Sequence, residues 1–336
     1  MIKRITYSLM ALAAAAGCAK VSSESSNDLE KQYLDAWISV NHPSATVIGK
    51  GIYLLEETPP TGGKSYDGQN FAYVSYDASS IDGTISYTTE EKLAQQTGSY
   101  TEGYYYGPRT WFVSDTSVPA GIEDMLTGMT VGQTRKALIP SWLMAYKRYK
   151  KDSEYIKHTV EKASPSIYSI TLKDCFDDVI KWQIDSIERF NSHNYGQIDS
   201  TAWGYYFKTL KEPLHKGDFP EDTTVYVHYT GRRLDGSVFD TTVKKVAIES
   251  GIYDSSNSYE PIAMSWGTSY DRITFADLTT SSDPITGFKR AVWDTGAMGR
   301  GVAVFTSNYG YQQTGSGGVI PPYAPLLFEI ELVKEP

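Results

Sequence analysis

The chain has 336 residues, a formal net charge of −9, five histidines and two cysteines. That length leaves room for two domains of ordinary size. The acidic balance, without a dense Lys/Arg run, argues against nucleic acid or an anionic membrane surface as partner, and two cysteines cannot make a disulfide framework.

At the N-terminus, Lys3 and Arg4 precede a short apolar run from Leu9 to Ala16, and Ala15-Ala16-Gly17 leads straight into Cys18. Residues 1–17 read as a secretory signal, and the junction resembles the lipobox of bacterial lipoproteins, with Cys18 as the lipidation site. Ordinary A-x-A-type cleavage nearby, with Cys18 incidental, also fits these residues. The run is too short to span a bilayer, which takes roughly 20 apolar residues. Removing Lys3 and Arg4 with the signal takes the formal charge from −9 to −11. Residues 18–27, rich in serine, read as a lipid-anchored flexible leash. The expected location is therefore the bacterial cell envelope, by a lipid anchor in the outer membrane, facing either side. With Cys18 acylated, Cys175 has no partner thiol and reads as a small buried hydrophobe.

Further along, Leu29, Tyr33, Leu34, Trp37 and Ile38 fall at helical spacing, and so do Phe176, Ile180, Ile184 and Ile187. Each helix is followed by strand-like stretches: 51–56 and 71–76 after the first, 204–211 and 224–230 after the second. In the last, Val225, Val227 and Tyr229 alternate with Tyr226, His228 and Thr230, the pattern of a half-buried strand. Asp82-Gly83 and Asp235-Gly236 are turn signals. A short helical run at 287–294 precedes closing strands at 301–307 and 326–333.

The chain also matches itself at an offset of 153 residues. Gly51 falls on Gly204, Tyr53 on Tyr206, and Val74-Ser75-Tyr76 on Val227-His228-Tyr229. Asp82-Gly83 falls on Asp235-Gly236, Thr88-Thr89 on Thr241-Thr242, and Pro108 on Pro261. One offset held over nearly sixty residues is a repeat. The expected organisation is a first module at 28–174, a helical linker at 175–203 and a second module at 204–336. Antiparallel strands with one short helix in each copy give an α+β fold.

The second copy carries five blocks in order: Val227-His228-Tyr229-Thr230-Gly231; Leu234-x-Gly236-x-x-Phe239-Asp240; Ile285-x-Gly287-Phe288; Tyr309-Gly310-Tyr311; and Gly318-Val319-Ile320-Pro321-Pro322 running on to Phe328. Together they resemble the FKBP family of prolyl isomerases over most of 204–334. The resemblance implies two FKBP-like modules, each an antiparallel sheet wrapped around a short helix, with a proline-binding groove between helix and sheet. It places catalytic positions at Tyr229, Phe239, Asp240, Tyr311 and Phe328, and substrate-binding positions at Ile262, Ile285, Phe288, Val319 and Ile320. Phe288 replaces the family's usual tryptophan floor, Ile262 stands where an aromatic is expected, and Ser316 where a loop histidine is common. Segments 243–259 and 268–284 are long relative to the family. In the first copy Ser86 and Tyr87 occupy the positions of Phe239 and Asp240, and a charged stretch, 147–162, replaces the Gly-Val-Ile-Pro-Pro loop. That copy reads as an FKBP-like fold without an active pocket.

Isomerisation about X-Pro breaks no bond, so the site needs no nucleophile, metal or cofactor. Gly62-Gly63-Lys64-Ser65 is not a phosphate loop, since Thr58 stands where its first glycine belongs. The five histidines, His42, His158, His193, His215 and His228, have no metal-ligand spacing. An aromatic box would hold the proline ring, the Ile320 N–H and Tyr311 hydroxyl would hold substrate carbonyls, and Asp240 would orient Tyr229 or face the twisted carbonyl. The expected partners are proline-containing unfolded or exported polypeptides, the membrane by the lipid anchor alone, and no nucleic acid; homo-oligomerisation stays open. The competing function is a non-catalytic peptide-binding chaperone or adaptor using the same grooves.

Overall fold

A computed structural model describes residues 25–114, 117–196, 198, 200–214, 219–220, 223–277 and 283–334. The signal, Cys18, most of the leash and His215 lie outside the described residues. Helix α1 (Ser26–Asn41) starts on a capping box in which the Ser25 side chain accepts from the Asp28 N–H and the Asp28 carboxylate accepts from the Ser25 N–H. It buries Leu34 and Ile38 and packs Trp37 on the core but leaves Leu29 and Tyr33 each 54% exposed, so three of the five expected apolar positions reach the core. The first unit continues with β1 (Thr46–Ile48), β2 (Ile52–Glu57), β3 (Phe71–Ser79), β4 (Ile85–Thr88), α2 (Glu91–Thr97), β5 (Arg109–Phe112), α3 (Ala120–Leu126), β6 (Thr134–Ile139), α4 (Asp152–Tyr155) and β7 (Ser166–Phe176).

Helix α5 (Val179–Asn194) follows. Phe176, expected on this helix with the linker beginning at 175, instead ends β7 opposite Phe71, and Cys175 pairs with Ala72 in the same strand. The helix starts where Asp178 accepts from the N–H groups of Ile180 and Lys181, a cap that outweighs apolar spacing in setting the boundary. The second unit then runs β8 (Ser200–Ala202), β9 (Tyr205–Lys211), β10 (Thr224–Arg233), β11 (Val238–Thr241), α6 (Lys244–Glu249), β12 (Ile262–Ser265), β13 (Thr274–Phe275), α7 (Thr286–Thr295), β14 (Arg300–Phe305) and β15 (Leu326–Val333).

The described residues form two antiparallel sheets with one strand order. The first runs β1-β2-β6-β7-β3, with β4 and β5 sharing the far edge of β3; the second runs β8-β9-β14-β15-β10, with β11 and β12 sharing the far edge of β10. At the offset of 153, Val74 pairs with Arg109 where Val227 pairs with Ile262. The correspondence extends to 243–259, which sequence comparison reads as an insertion. Helix α6 within it matches α2, and the ring pairs Tyr253–Tyr259 and Tyr100–Tyr106 stack alike at 5.3 and 5.6 Å. This excursion therefore belongs to both units.

Two main cores lie between each short helix and its sheet. Leu34, Ile122, Met125 and Ile170 belong to one, and Phe288, Val292, Phe305 and Ile330 to the other. Full burial of each such side chain contributes about 1.5–3 kcal/mol. Helix α5 joins the units. Its Trp182 stacks on Phe176 at 4.5 Å and donates to Asp174, while Ile187 packs with Tyr206, Val302 and Leu327 of the second sheet. Gln183, fully buried, donates to Ser307 Oγ and the Tyr323 carbonyl and accepts from the Ser307 N–H. Among the described residues no helix is long and apolar enough to cross a membrane.

Candidate active site

Strand β10 and its neighbours bring the expected residues to one end of α7. Register places Gly231 opposite Phe328 on β15 and opposite Asp240 on β11. A Cβ on Gly231 would lie 2.5 Å from Phe239 Cζ and 3.1 Å from Phe328 Cε1, so glycine is what lets the two rings meet across the strand. They meet edge to face at 5.6 Å. Phe328 is the hub: Phe288 from α7 stands edge-on to it at 5.2 Å, and Tyr229 lies at 6.2 Å. Phe288 and Tyr229 are edge to face at 5.2 Å. Such ring pairs contribute about 0.5–1.5 kcal/mol beyond their burial, which fixes the box in one geometry.

Phe305 completes the box from beneath. It is fully buried and stacked on Phe328 at 5.9 Å, with 7° between the planes. Sequence reading missed it; its one signal is its place in the apolar closing strand.

The polar groups stand at the rim. The Tyr229 hydroxyl donates to Asp240 Oδ2 at 2.6 Å, and burial together with the Asp240 charge pushes the phenol far above its ordinary value. Tyr311, half-buried, is raised by the same two causes, and its hydroxyl has no acceptor among the described residues. Val319 is half-buried and Ile320 buried, and both pack on this core as walls. The role expected of the Ile320 backbone needs correction. Its N–H donates to the Ser316 carbonyl at 3.0 Å, while its own carbonyl accepts from the Ser316 N–H at 2.8 Å. A donor closed into that turn is not available to a substrate. Ile285 is the extended residue that precedes the first turn of α7 and has no side-chain cap; among the described residues its N–H has no acceptor. Ile262 sits on β12 beside Val227, half-buried at the edge of the same core.

The first unit fills the matching space with its own rings. Tyr76 stacks on Tyr87 at 4.8 Å and packs against Trp111 at 4.6 Å, with Tyr168 at 6.3 Å. Ser86 bonds back to the Ala78 carbonyl. The charged stretch 147–162 turns out to be anchored: Tyr155 is 1% exposed, Tyr149 packs between it and His158, and Asn27 donates to the carbonyls of Ile156 and His158.

An antiparallel sheet wrapped on a short helix, with an aromatic box at the helix start, is the arrangement that the FKBP resemblance implies for the second unit. A family model described as FKBP-type peptidyl-prolyl cis-trans isomerase matches residues 216–333. FK506-binding protein 1A of Aspergillus fumigatus is 32% identical over 127 residues, which are 38% of this chain and 90% of that protein. An FK506-binding protein of Neisseria meningitidis serogroup C is 28% identical over 110 residues, 33% of this chain and 77% of that protein. Among solved structures, a Pseudomonas syringae peptidyl-prolyl cis-trans isomerase aligns over 48% of this chain and 96% of its own, with 21% identity and a TM-score of 0.33. The chain belongs to the FKBP-type peptidyl-prolyl cis-trans isomerase family.

Proposed function

We propose that this chain is a peptidyl-prolyl cis/trans isomerase that assists the folding of exported proteins at the cell envelope, tethered by a lipid on Cys18. In this reading it is built of two FKBP-like repeats, of which the second is catalytic. The observation that carries it is the closure of Phe239, Phe288 and Tyr229 around Phe328, with two phenol hydroxyls and Asp240 at the rim.

The barrier to rotation about X-Pro is roughly 18–20 kcal/mol and comes from amide resonance. Catalysis requires only that the twisted amide be held better than either planar form. The box takes the proline ring and excludes water, which favours the less polar twisted state. Tyr311 donates to a substrate carbonyl, and the Ile285 N–H takes the part first assigned to Ile320. Asp240 fixes the Tyr229 ring as a wall. Differential stabilisation of about 8 kcal/mol would give roughly a millionfold acceleration. The first unit, with Tyr87 where Asp240 stands in the second and its rings packed on each other, serves as a non-catalytic partner.

The test is the refolding of a protein whose slow phase is limited by X-Pro isomerisation. The reading expects catalytic amounts of the chain to accelerate that phase, and Asp240→Val and Tyr311→Phe to weaken the effect. A slow phase that keeps its rate on addition of wild type would reject it. Lipid labelling that Cys18→Ala abolishes would support the anchor, and labelling that persists would refute it.

A further inference from the structure

We propose that the first unit clamps the pocket-wall loop of the second, with Tyr105 and Arg233 as positioning residues that set substrate affinity. The proposal rests on the reading of the Phe328 box as the isomerase site. The loop in question carries Val319 and Ile320, and although Ser316 and Ile320 close its turn, the Gly318 and Val319 carbonyls are held from outside it. Gly315, Gly317 and Gly318 all sit at positive φ, and a segment so rich in glycine loses more freedom on ordering than any other.

The first unit supplies what the loop lacks. The Tyr105 N–H donates to the Gly318 carbonyl at 3.0 Å, and the Tyr104 ring lies so close that a Cβ on Gly318 would be 3.0 Å from its Cε2. Arg233, on β10, ties the two together. Its Nη1 donates to the Val319 carbonyl at 2.5 Å and its Nε to Ser237 Oγ at 2.7 Å, while its guanidinium carbon lies 5.3 Å from the centre of the Tyr105 ring. Arg109 approaches the same ring at 5.8 Å and donates to the Tyr105 carbonyl, so Tyr105 is itself held. At the far end of the loop, Tyr323 stands edge-on to Phe71 at 5.4 Å, and its carbonyl accepts from Gln183. Both ends of the wall loop therefore rest on elements outside the second sheet. A cavity of about 270 Å³ lies between these contacts, lined by Tyr73, Tyr105, Trp182, Arg233 and Tyr323 among others. The units touch through the loop and around that cavity.

A wall ordered in advance saves the substrate the cost of ordering it. Val319 and Ile320 flank the proline in the planar and twisted forms alike, so loss of the clamp should weaken binding of both equally. That raises KM and leaves kcat nearly unchanged. A merely structural role would instead lower the amount of folded protein without splitting the two constants.

The experiment compares full-length wild type, Tyr105→Ala, Arg233→Ala and Tyr105→Phe in a protease-coupled isomerisation assay, with amide hydrogen exchange followed over residues 316–323. The expectation for Tyr105→Ala and Arg233→Ala is a KM raised about fivefold or more with kcat within about twofold. Exchange in the loop should be faster in both variants. Tyr105→Phe keeps the ring and the backbone donor, loses the hydroxyl's bond to the Pro108 carbonyl, and should raise KM less than Tyr105→Ala. Should one alanine variant fail to fold, the other decides. A KM unchanged in the folded alanine variants, whatever the loop exchange, overturns the proposal, as does a Tyr105→Phe variant as impaired as Tyr105→Ala. If wild type itself is inactive, the isomerase reading fails separately, and unchanged loop exchange in the alanine variants then overturns the clamp while faster exchange upholds it.

Discussion

The Tyr229 hydroxyl donates to Asp240 Oδ2 at 2.6 Å, a bond that spans the β10–β11 hairpin and fixes the Tyr229 ring edge-on to Phe288. A charge-assisted bond of this length is about twice as strong as a neutral one. The two residues should act as one unit. Tyr229→Phe and Asp240→Asn are each expected to lower kcat/KM by about tenfold, and the double variant by little more than either. Fully multiplicative losses would mean that the two side chains work independently.

Gly231 tests whether the box matters through its shape. The atom a new Cβ would strike first is the tip of the Phe239 ring, which is half-buried and can swing aside. Gly231→Ala should therefore cost about 1–3 kcal/mol of stability by overpacking, yet lower kcat/KM by about tenfold or more because Phe239 leaves the proline site. Urea unfolding and peptide kinetics on the same preparation separate the two effects.

The pH dependence of catalysis follows from the two phenols. Burial and the nearby Asp240 charge raise both Tyr229 and Tyr311 above the ordinary tyrosine value of 10.0. Both hydroxyls accordingly stay protonated, and remain donors, up to and past that value. The kcat/KM of the chain should be level from neutral pH to about 10, the value at which an unperturbed tyrosine donor would be half lost. A decline centred below 10 in wild type that Tyr311→Phe removes would contradict this placement.

In the first unit, Lys50 supplies a stability prediction with a definite sign. Asp124 is nearly buried and accepts from both the Lys50 N–H at 2.6 Å and Lys50 Nζ at 2.5 Å. Burial alone would lower the lysine pKa; the hydrogen bond and charge of Asp124 outweigh it, and the net shift is upward from 10.5. A group raised on folding contributes its stability below the unfolded value and loses it as pH climbs through the folded one. Asp124→Asn should cost about 3 kcal/mol near neutral pH. The gap between wild type and variant in urea unfolding should begin to close only above about 10.5.

Much of the site was legible because it rests on local pattern. The alternation of Val225, Val227 and Tyr229 gives the strand, and the aromatic positions keep their order along the chain. The offset that sets Tyr76 on Tyr229 leads to the expectation of two α+β modules; the shared strand order itself is not read from sequence. What stayed hidden depends on contacts distant in sequence or on backbone closure. Nothing near Arg233 indicates that it meets Val319 and Tyr105, and the Ile320 N–H is lost to Ser316 only because the glycines around it close the turn. The misplaced start of α5 has a simpler cause. Phe176 happens to continue the helical spacing of Ile180 and Ile184, while the overlooked Asp178 cap sets the true boundary.

The central claim is that the Phe328 box turns an X-Pro bond. It is tested most directly by exchange NMR on a short proline peptide, in which cis and trans forms give separate signals and no coupling protease is needed. With catalytic amounts of the full chain, exchange between the two signals should become measurable within the mixing time, and should fall sharply with Phe239→Ala. An exchange rate identical with and without the protein, in a sample whose peptide signals broaden on binding, would instead assign the box to peptide capture without catalysis.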